Sequence, residues 1–169
     1  MTVKVPPFSE LIKSATSSAV HLEMRDQYTP DDPLFLAWLA DGQITDPTLP
    51  DWYDLVRTHV ARGISFRRAR IVSEPLSDFV RFEYLITPGL NVAAGEQVRW
   101  LPRRRASDLC LPGNDFWVLD DRMVRFGHFA GNGDFLDHEW CEDSAVVNHC
   151  ATAFEAVWER AIDHADYRP

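Results

Sequence analysis

Lysine is almost missing from this chain of 169 residues; Lys4 and Lys13 are the only two. No Gly-Lys pair occurs, which excludes the phosphate-cradling loop Gly-x-x-x-x-Gly-Lys. The nucleophile elbow Gly-x-Ser-x-Gly is also missing. Gly63-Ile-Ser-Phe-Arg67 keeps half of it and puts a bulky arginine where the turn needs glycine. Three cysteines, an odd number with irregular spacing, make no disulfide framework and point to a reducing cytoplasm. No run approaches the ~18 apolar residues that cross a bilayer. The opening Met1-Thr-Val-Lys-Val-Pro-Pro has no basic flank leading into an apolar stretch, so no signal peptide and no membrane partner is expected. There is no repeat, linker or low-complexity segment.

What remains is the composition of an ordinary globular protein. Hydrophobic residues make up 46% of it and charged residues 25%, and ten Phe and six Trp supply a sizeable core. Its length favours one domain over 1–169, with 1–18 as a polar lead-in and 19–167 as the globular core. The net charge of −9 works against general nucleic-acid affinity, because phosphate repels an acidic surface. Positive charge is nevertheless concentrated: between Arg57 and Arg105 stand ten arginines against four acids, while the rest of the chain has seven basic and 22 acidic residues. Either the arginines pair internally with acids, or they form a patch for an anion or a partner.

The pattern along the chain alternates helix and strand. Ala19-Val-His-Leu-Glu-Met alternates apolar and polar residues as a strand does. Asp32 is placed to N-cap a helix with Pro33 at its first position and Gly42 at its end; Leu34, Phe35, Trp38 and Leu39 share a face. A second helix is predicted from near Thr48 and a strand over 64–72. Ser73-Glu-Pro is expected to restart a helix carrying Phe79, Val80 and Glu83, followed by a loop over 87–95 and a strand over 96–101. Asp115-Phe-Trp-Val-Leu-Asp opens a run of hairpin strands, 123–129 and 135–140, and a long helix from Ser144 to about Ala165 closes the chain. The fold class expected is α/β (α+β), a mixed twisted sheet covered by helices.

Four stretches carry a resemblance: His21-Leu-Glu-Met-Arg-Asp-Gln-Tyr, Arg67-Arg-Ala-Arg-Ile-Val-Ser-Glu-Pro-Leu-Ser-Asp-Phe, Ala94-Gly-Glu-Gln-Val-Arg-Trp-Leu-Pro-Arg and Asp115-Phe-Trp-Val-Leu-Asp-Asp. From about Phe8 to Tyr167 the chain resembles an actinobacterial family of unknown function. That resemblance implies a small cytoplasmic protein, often encoded beside helix-turn-helix regulators, and no established activity. A weaker similarity is to one half of the phospholipase D-like fold, carried by Val60-Ala-Arg-Gly-Ile-Ser-Phe-Arg-Arg and Phe116-Trp-Val-Leu-Asp-Asp. Enzymes of that fold use His-x-Lys-x-x-x-x-Asp, and neither lysine here follows a histidine by two.

Several groups invite a functional reading. His138, Cys141, His149 and Cys150 are the one metal-like cluster, but adjacent residues on a helix point about 100° apart, so no metal or other cofactor is expected. His21 and Glu23 share a strand face, with Asp26 nearby: a charge-paired face, or the polar wall of a pocket. Arg68 and Arg70 share a face of the 64–72 strand. With Glu83, Glu96 and Arg99 they form the expected ligand-binding set, either mutually neutralised or completed by a small anion. No catalytic residue is assigned. The expected function is a non-enzymatic accessory or regulatory protein, acting by protein-protein contact in bacterial transcriptional control, with a helix-turn-helix regulator as partner and a small anionic ligand; a homodimer is left open. The alternatives are a phosphoester or nucleotide enzyme with an Arg/carboxylate site, and DNA binding through Arg103–Arg105, where Trp100 is the one tryptophan placed to stack on bases.

Overall fold

The computed structural model describes residues 5–44 and 49–169. The elements run α1 (Phe8–Leu11), β1 (Ser18–Glu23), α2 (Pro33–Asp41), α3 (Leu49–Ala61), β2 (Ser65–Val72), α4 (Asp78–Thr87), β3 (Gln97–Pro102), β4 (Phe116–Leu119), β5 (Met123–Phe129), β6 (Phe135–Cys141), α5 (Ser144–Arg160) and β7 (Ile162–Asp163). They build a mixed α/β fold around one seven-stranded sheet ordered β6-β5-β4-β1-β2-β3-β7. β1, β2 and β3 are parallel; β4 runs antiparallel to β1, and the meander β4-β5-β6 extends that side.

Both faces are covered, which is why the central strands carry few solvent-facing residues. α5 packs Val147, Cys150, Phe154 and Val157 on Val20, Leu22, Ala69, Ile71 and Leu101. The opposite face is covered by α1 and α3 over Ala19, Phe66 and Trp117, and by α4 over Val72, Val98 and Trp100. Alternation along each strand divides the faces. Ala19, His21 and Glu23 look towards α3 and α4, and Val20 and Leu22 towards α5.

Local signals act where they are self-contained. The Asp32 carboxylate accepts from the Leu34 and Phe35 N–H groups, Pro33 follows at the first helical position, and Gly42 ends α2 at φ +73°. The predicted start of α3 at Thr48 lies outside the described residues; its body forms as expected. The Asp120-Asp121 turn takes both residues into the left-handed region at φ 52° and 51°. The Asp120 carboxylate then accepts from the backbone N–H groups of Thr16, Ser17 and Ser18, tying the hairpin to the start of β1.

Four expectations change. The segment before β1 is no mere lead-in: Leu11, Ile12 and Ala15 are buried in the core, with Ile12 0% exposed. The helix after β2 starts at Asp78, capped by the Ser77 hydroxyl, and not at Ser73, whose N–H and hydroxyl both donate to Asp26. On α2 only Phe35 is buried, while Leu36 and Leu39 stand 45% and 52% exposed. The last helix stops at Arg160, because Ala161 turns extended and Ile162 and Asp163 pair with Trp100 and Arg99 as an edge strand. That exit seats Tyr167 flat on Trp100, with ring centroids 5.5 Å apart.

Candidate functional site

Arg68 and Arg70 stand two apart on β2 and so face the same way, towards α3 and α4. The parallel register sets Arg68 beside His21 and Arg70 beside Glu23. Their charges are met from within the chain. The Glu23 carboxylate accepts from Arg68 Nη1 with one oxygen and from Arg70 Nε with the other. Arg68 Nε donates to Glu96 at 2.7 Å, and Arg70 Nη1 donates to the Thr87 hydroxyl at 2.7 Å, with Glu83 3.6 Å from Nη2. Asn91 donates to the other Glu96 oxygen. The guanidiniums also lie against aromatic faces, Arg68 over Trp52 and Trp117 and Arg70 over Trp100.

Two buried cations thus meet three carboxylates. Burial opposes ionisation of Glu23, but Arg68 and Arg70 together overcome it and hold its carboxyl well below the usual range. Glu83 is pushed up to about 7, by burial first and by the nearby Glu23 charge, against the pull of Arg70. Arg68 and Arg70 are already saturated, so this cluster has no unmet positive charge to offer an anion. Four of the five residues expected to form the ligand set do come together; Arg99 does not. It lies on the opposite face, over the Trp158 ring, donating to the Trp158 carbonyl at 2.9 Å. Period-two alternation places it there, one residue from Val98 and Trp100.

The remaining candidates also scatter. Arg103 is structural, donating to Ser73 Oγ and to the Met24 and Ile71 carbonyls, which leaves Arg104 and Arg105 as the exposed part of that run. Trp100 is 0% exposed, so it cannot stack on nucleic-acid bases. His149 is exposed while its neighbour Cys150 is buried on the face that α5 turns to the sheet, its thiol pushed up to about 11 by burial and by Cys141. Asp26 serves Ser73 and Arg103 and stands apart from His21 and Glu23.

A cavity lies beside the arginine network. After β1 the chain builds β2 and β3 on one side and then returns past β1 to build β4, so the sheet order reverses at β1. In open α/β sheets ligands collect at such reversals. Here a cavity of about 280 Å³ opens on the α3 side of β1, β4 and β5. The register aligns its walls in two rows across the strands. His21, Trp117 and Arg125 form one, and Asp115, Gly127 and His138 the other. Phe129, Phe135 and Tyr28 complete the lining, with Tyr28 packed edge-on against Phe129 at 5.3 Å between ring centroids.

Within this cavity His21 stacks on Trp117, with centroids 4.2 Å apart and planes 12° from parallel. Burial first, then the Arg68 charge, lowers its pKa well below the ordinary value, so the ring is neutral. Asp115 accepts from the Met24 N–H at 2.9 Å and from the Tyr28 hydroxyl, and burial pushes its carboxyl up to about 6. Arg125 shares with Arg99 and Arg25 an enclosed Nε without a partner and the lack of a carboxylate within ion-pair distance among the described residues. Arg99 still donates to the Trp158 carbonyl and Arg25 to the Ala130 carbonyl, whereas the half-buried Arg125 side chain makes no hydrogen bond among the described residues. Burial alone lowers its pKa. Among the described residues no group of His, Cys, Asp and Glu side chains is arranged to hold a metal ion.

Sequence reasoning missed Arg125 because it lies outside the arginine-rich segment. A signal was present in Met123-Val-Arg-Phe-Gly-His-Phe, whose alternation puts Arg125 and Gly127 on one face: a charge beside a position with no side chain.

Comparison with known proteins adds the family. The profile of a domain of unknown function, DUF6879, matches residues 6–169. The chain belongs to that family. No curated protein matches this DUF6879 chain. Among solved structures it is similar to TrmBL2, described as an archaeal chromatin protein with a novel mode of DNA binding. The TM-score is 0.48 and the identity 15%, over 91% of the DUF6879 chain and 48% of the other, so it spans about half that protein's length. Among the described residues of the DUF6879 chain, no helix is long and apolar enough to cross a membrane.

Proposed function

We propose that this protein is a non-enzymatic regulatory module that takes a small anion-bearing molecule in the β1/β4/β5 cavity and acts by contact with another protein. The observation that carries this is Arg125, a half-buried guanidinium with neither an acid nor a hydrogen-bond partner among the described residues, in a cavity walled by aromatic rings. An unpaired charge in a partly dry site is costly, and a ligand carboxylate or similar group relieves that cost. The ligand-binding role expected of Arg68, Arg70, Glu83, Glu96 and Arg99 thus moves to a neighbouring residue. Arg68 and Arg70 become the rigid floor that fixes Glu23 and His21.

The setting in transcriptional control rests on the family resemblance, which implies genes placed beside helix-turn-helix regulators in actinobacteria. The phospholipase D-like rhythm without its His-x-Lys motif fits a module that holds a ligand and lacks the nucleophile. An enzymatic reading is favoured by one observation, the raised Asp115 carboxyl in the same cavity. Both Asp115 oxygens are, however, already engaged by Met24 and Tyr28.

Thermal-shift measurements with carboxylates, phosphates and nucleotides test the ligand. At a hundredfold excess over Kd the gain is about 2.7 kcal/mol, a rise of roughly 5–10 °C for a chain of this size. Arg125→Leu, by weakening Kd about tenfold, should cut that gain to about half at the same ligand concentration. Co-purification with the adjacent helix-turn-helix protein tests the partner. No shift with any anion, together with no complex, would remove this reading.

A further inference from the structure

Two imidazoles share the cavity with Arg125, and the neighbouring acceptors favour the same tautomer in each. His21 Nδ1 lies 3.3 Å from Glu23 Oε1, angled too poorly for a hydrogen bond. A negative carboxylate can only accept, so its charge favours the proton on Nδ1, which leaves the lone pair on Nε2. His138 Nδ1 lies 3.3 Å from the Phe126 carbonyl, which fixes the same tautomer. Neither Nε2 has a donor among the described residues. The cavity therefore offers one cation and two unfilled acceptors.

The acids beside it narrow the choice further. Glu23 spends its oxygens on Arg68 and Arg70, and Asp115 spends its own on Met24 and Tyr28. They are poor partners for a ligand ammonium group. They remain negative neighbours that penalise a second negative charge in a site with little water. The body of the ligand meets Trp117, Phe129 and Phe135 over Gly127, where an added Cβ would come within 3.3 Å of the Phe129 ring. The volume of about 280 Å³ equals roughly nine waters at ~30 Å³ each.

Resting on the cavity being a ligand site, we propose that its ligand is a small hydroxylated monocarboxylate with a flat apolar body: the carboxylate on Arg125, the hydroxyl donating to His21 or His138, and the body between the aromatic walls. A dianionic phosphate fits worse, because its second charge faces Glu23 and Asp115. A simple aromatic acid fits worse too, because it leaves the imidazole acceptors empty.

Calorimetric titration of the full chain with four probes tests this: 4-hydroxybenzoate, benzoate, 4-hydroxybenzamide and inorganic phosphate. The first should bind about tenfold or more tightly than each of the others, the range expected for one charge-assisted or buried hydrogen bond. Arg125→Leu should weaken it by a similar factor, and Gly127→Leu, which fills the cavity, should abolish it. Melting temperatures of both variants without ligand show that they are folded. Benzoate binding as well as 4-hydroxybenzoate, or phosphate binding better in an Arg125-dependent way, overturns the hydroxycarboxylate and leaves the cavity as a ligand site. No binding by any probe also overturns the hydroxycarboxylate, and binding unaffected by both substitutions overturns the cavity as the ligand site as well.

Discussion

Glu23→Gln removes the carboxylate on which the centre of the fold is organised. One oxygen of Glu23 serves Arg68 and the other Arg70, all three side chains being buried. Breaking a buried ion pair by deleting one partner costs about 3–5 kcal/mol, because the remaining charge is left in a poor solvent. Here each arginine keeps a second acid, Arg68 through Glu96 at 2.7 Å and Arg70 through Glu83 at 3.6 Å. Burial is the main reason that the Glu83 carboxyl is raised, but removing Glu23 takes away the repulsion that adds to it, so Glu83 ionises more readily against Arg70. The loss should therefore fall at the lower end, about 3 kcal/mol. With a urea m-value of ~2 kcal/mol/M, the unfolding midpoint should drop by about 1.5 M. Adding Arg70→Met to the same chain removes the cation left with only the more distant Glu83 and should recover at least ~1 kcal/mol. A single-variant loss under ~1 kcal/mol, or a double variant weaker than the single, would refute the view that Glu23 neutralises both arginines.

The raised Glu83 carboxyl makes a prediction whose sign is fixed. Its folded pKa of about 7 lies above the ordinary carboxylate value, so the folded state binds more protons between pH ~4.5 and ~7, and this contribution to stability is lost as pH rises. Buried neutral histidines such as His21 act oppositely, so the comparison must be with Glu83→Gln: that variant should gain on wild type between pH 4.5 and 7.5 in urea unfolding, and a constant difference would count against the assignment. Ile12→Ala should cost about 2–5 kcal/mol, as for a core residue, although it precedes the first strand. A change under ~1 kcal/mol would return residues 5–15 to the status of a polar lead-in.

Local and periodic features could be read from the order of residues. Asp32-Pro33 and Gly42 bracket α2 because capping uses neighbours in the chain. The alternation of β1 and β2 decides that His21, Glu23, Arg68 and Arg70 face one way, whatever the strand order. The pairing of the middle arginines with Glu83 and Glu96 was legible as one of two outcomes, because buried guanidiniums need partners. Glu23 as the bridging acid required the knowledge that β1 and β2 are neighbours in parallel register.

The tertiary structure alone decided the rest. Nothing in the stripe of α5 announces its end at Arg160; the break pairs Ile162 with Trp100, distant in sequence, and buries Tyr167 against that same tryptophan. Arg125 became the candidate ligand residue only when β4 and β5 were laid beside β1. An unpaired charge is defined by what is absent around it, and absence is a property of three-dimensional neighbours. The cavity has the same origin: it exists because the sheet order reverses at β1 and Gly127 places no side chain in the opening.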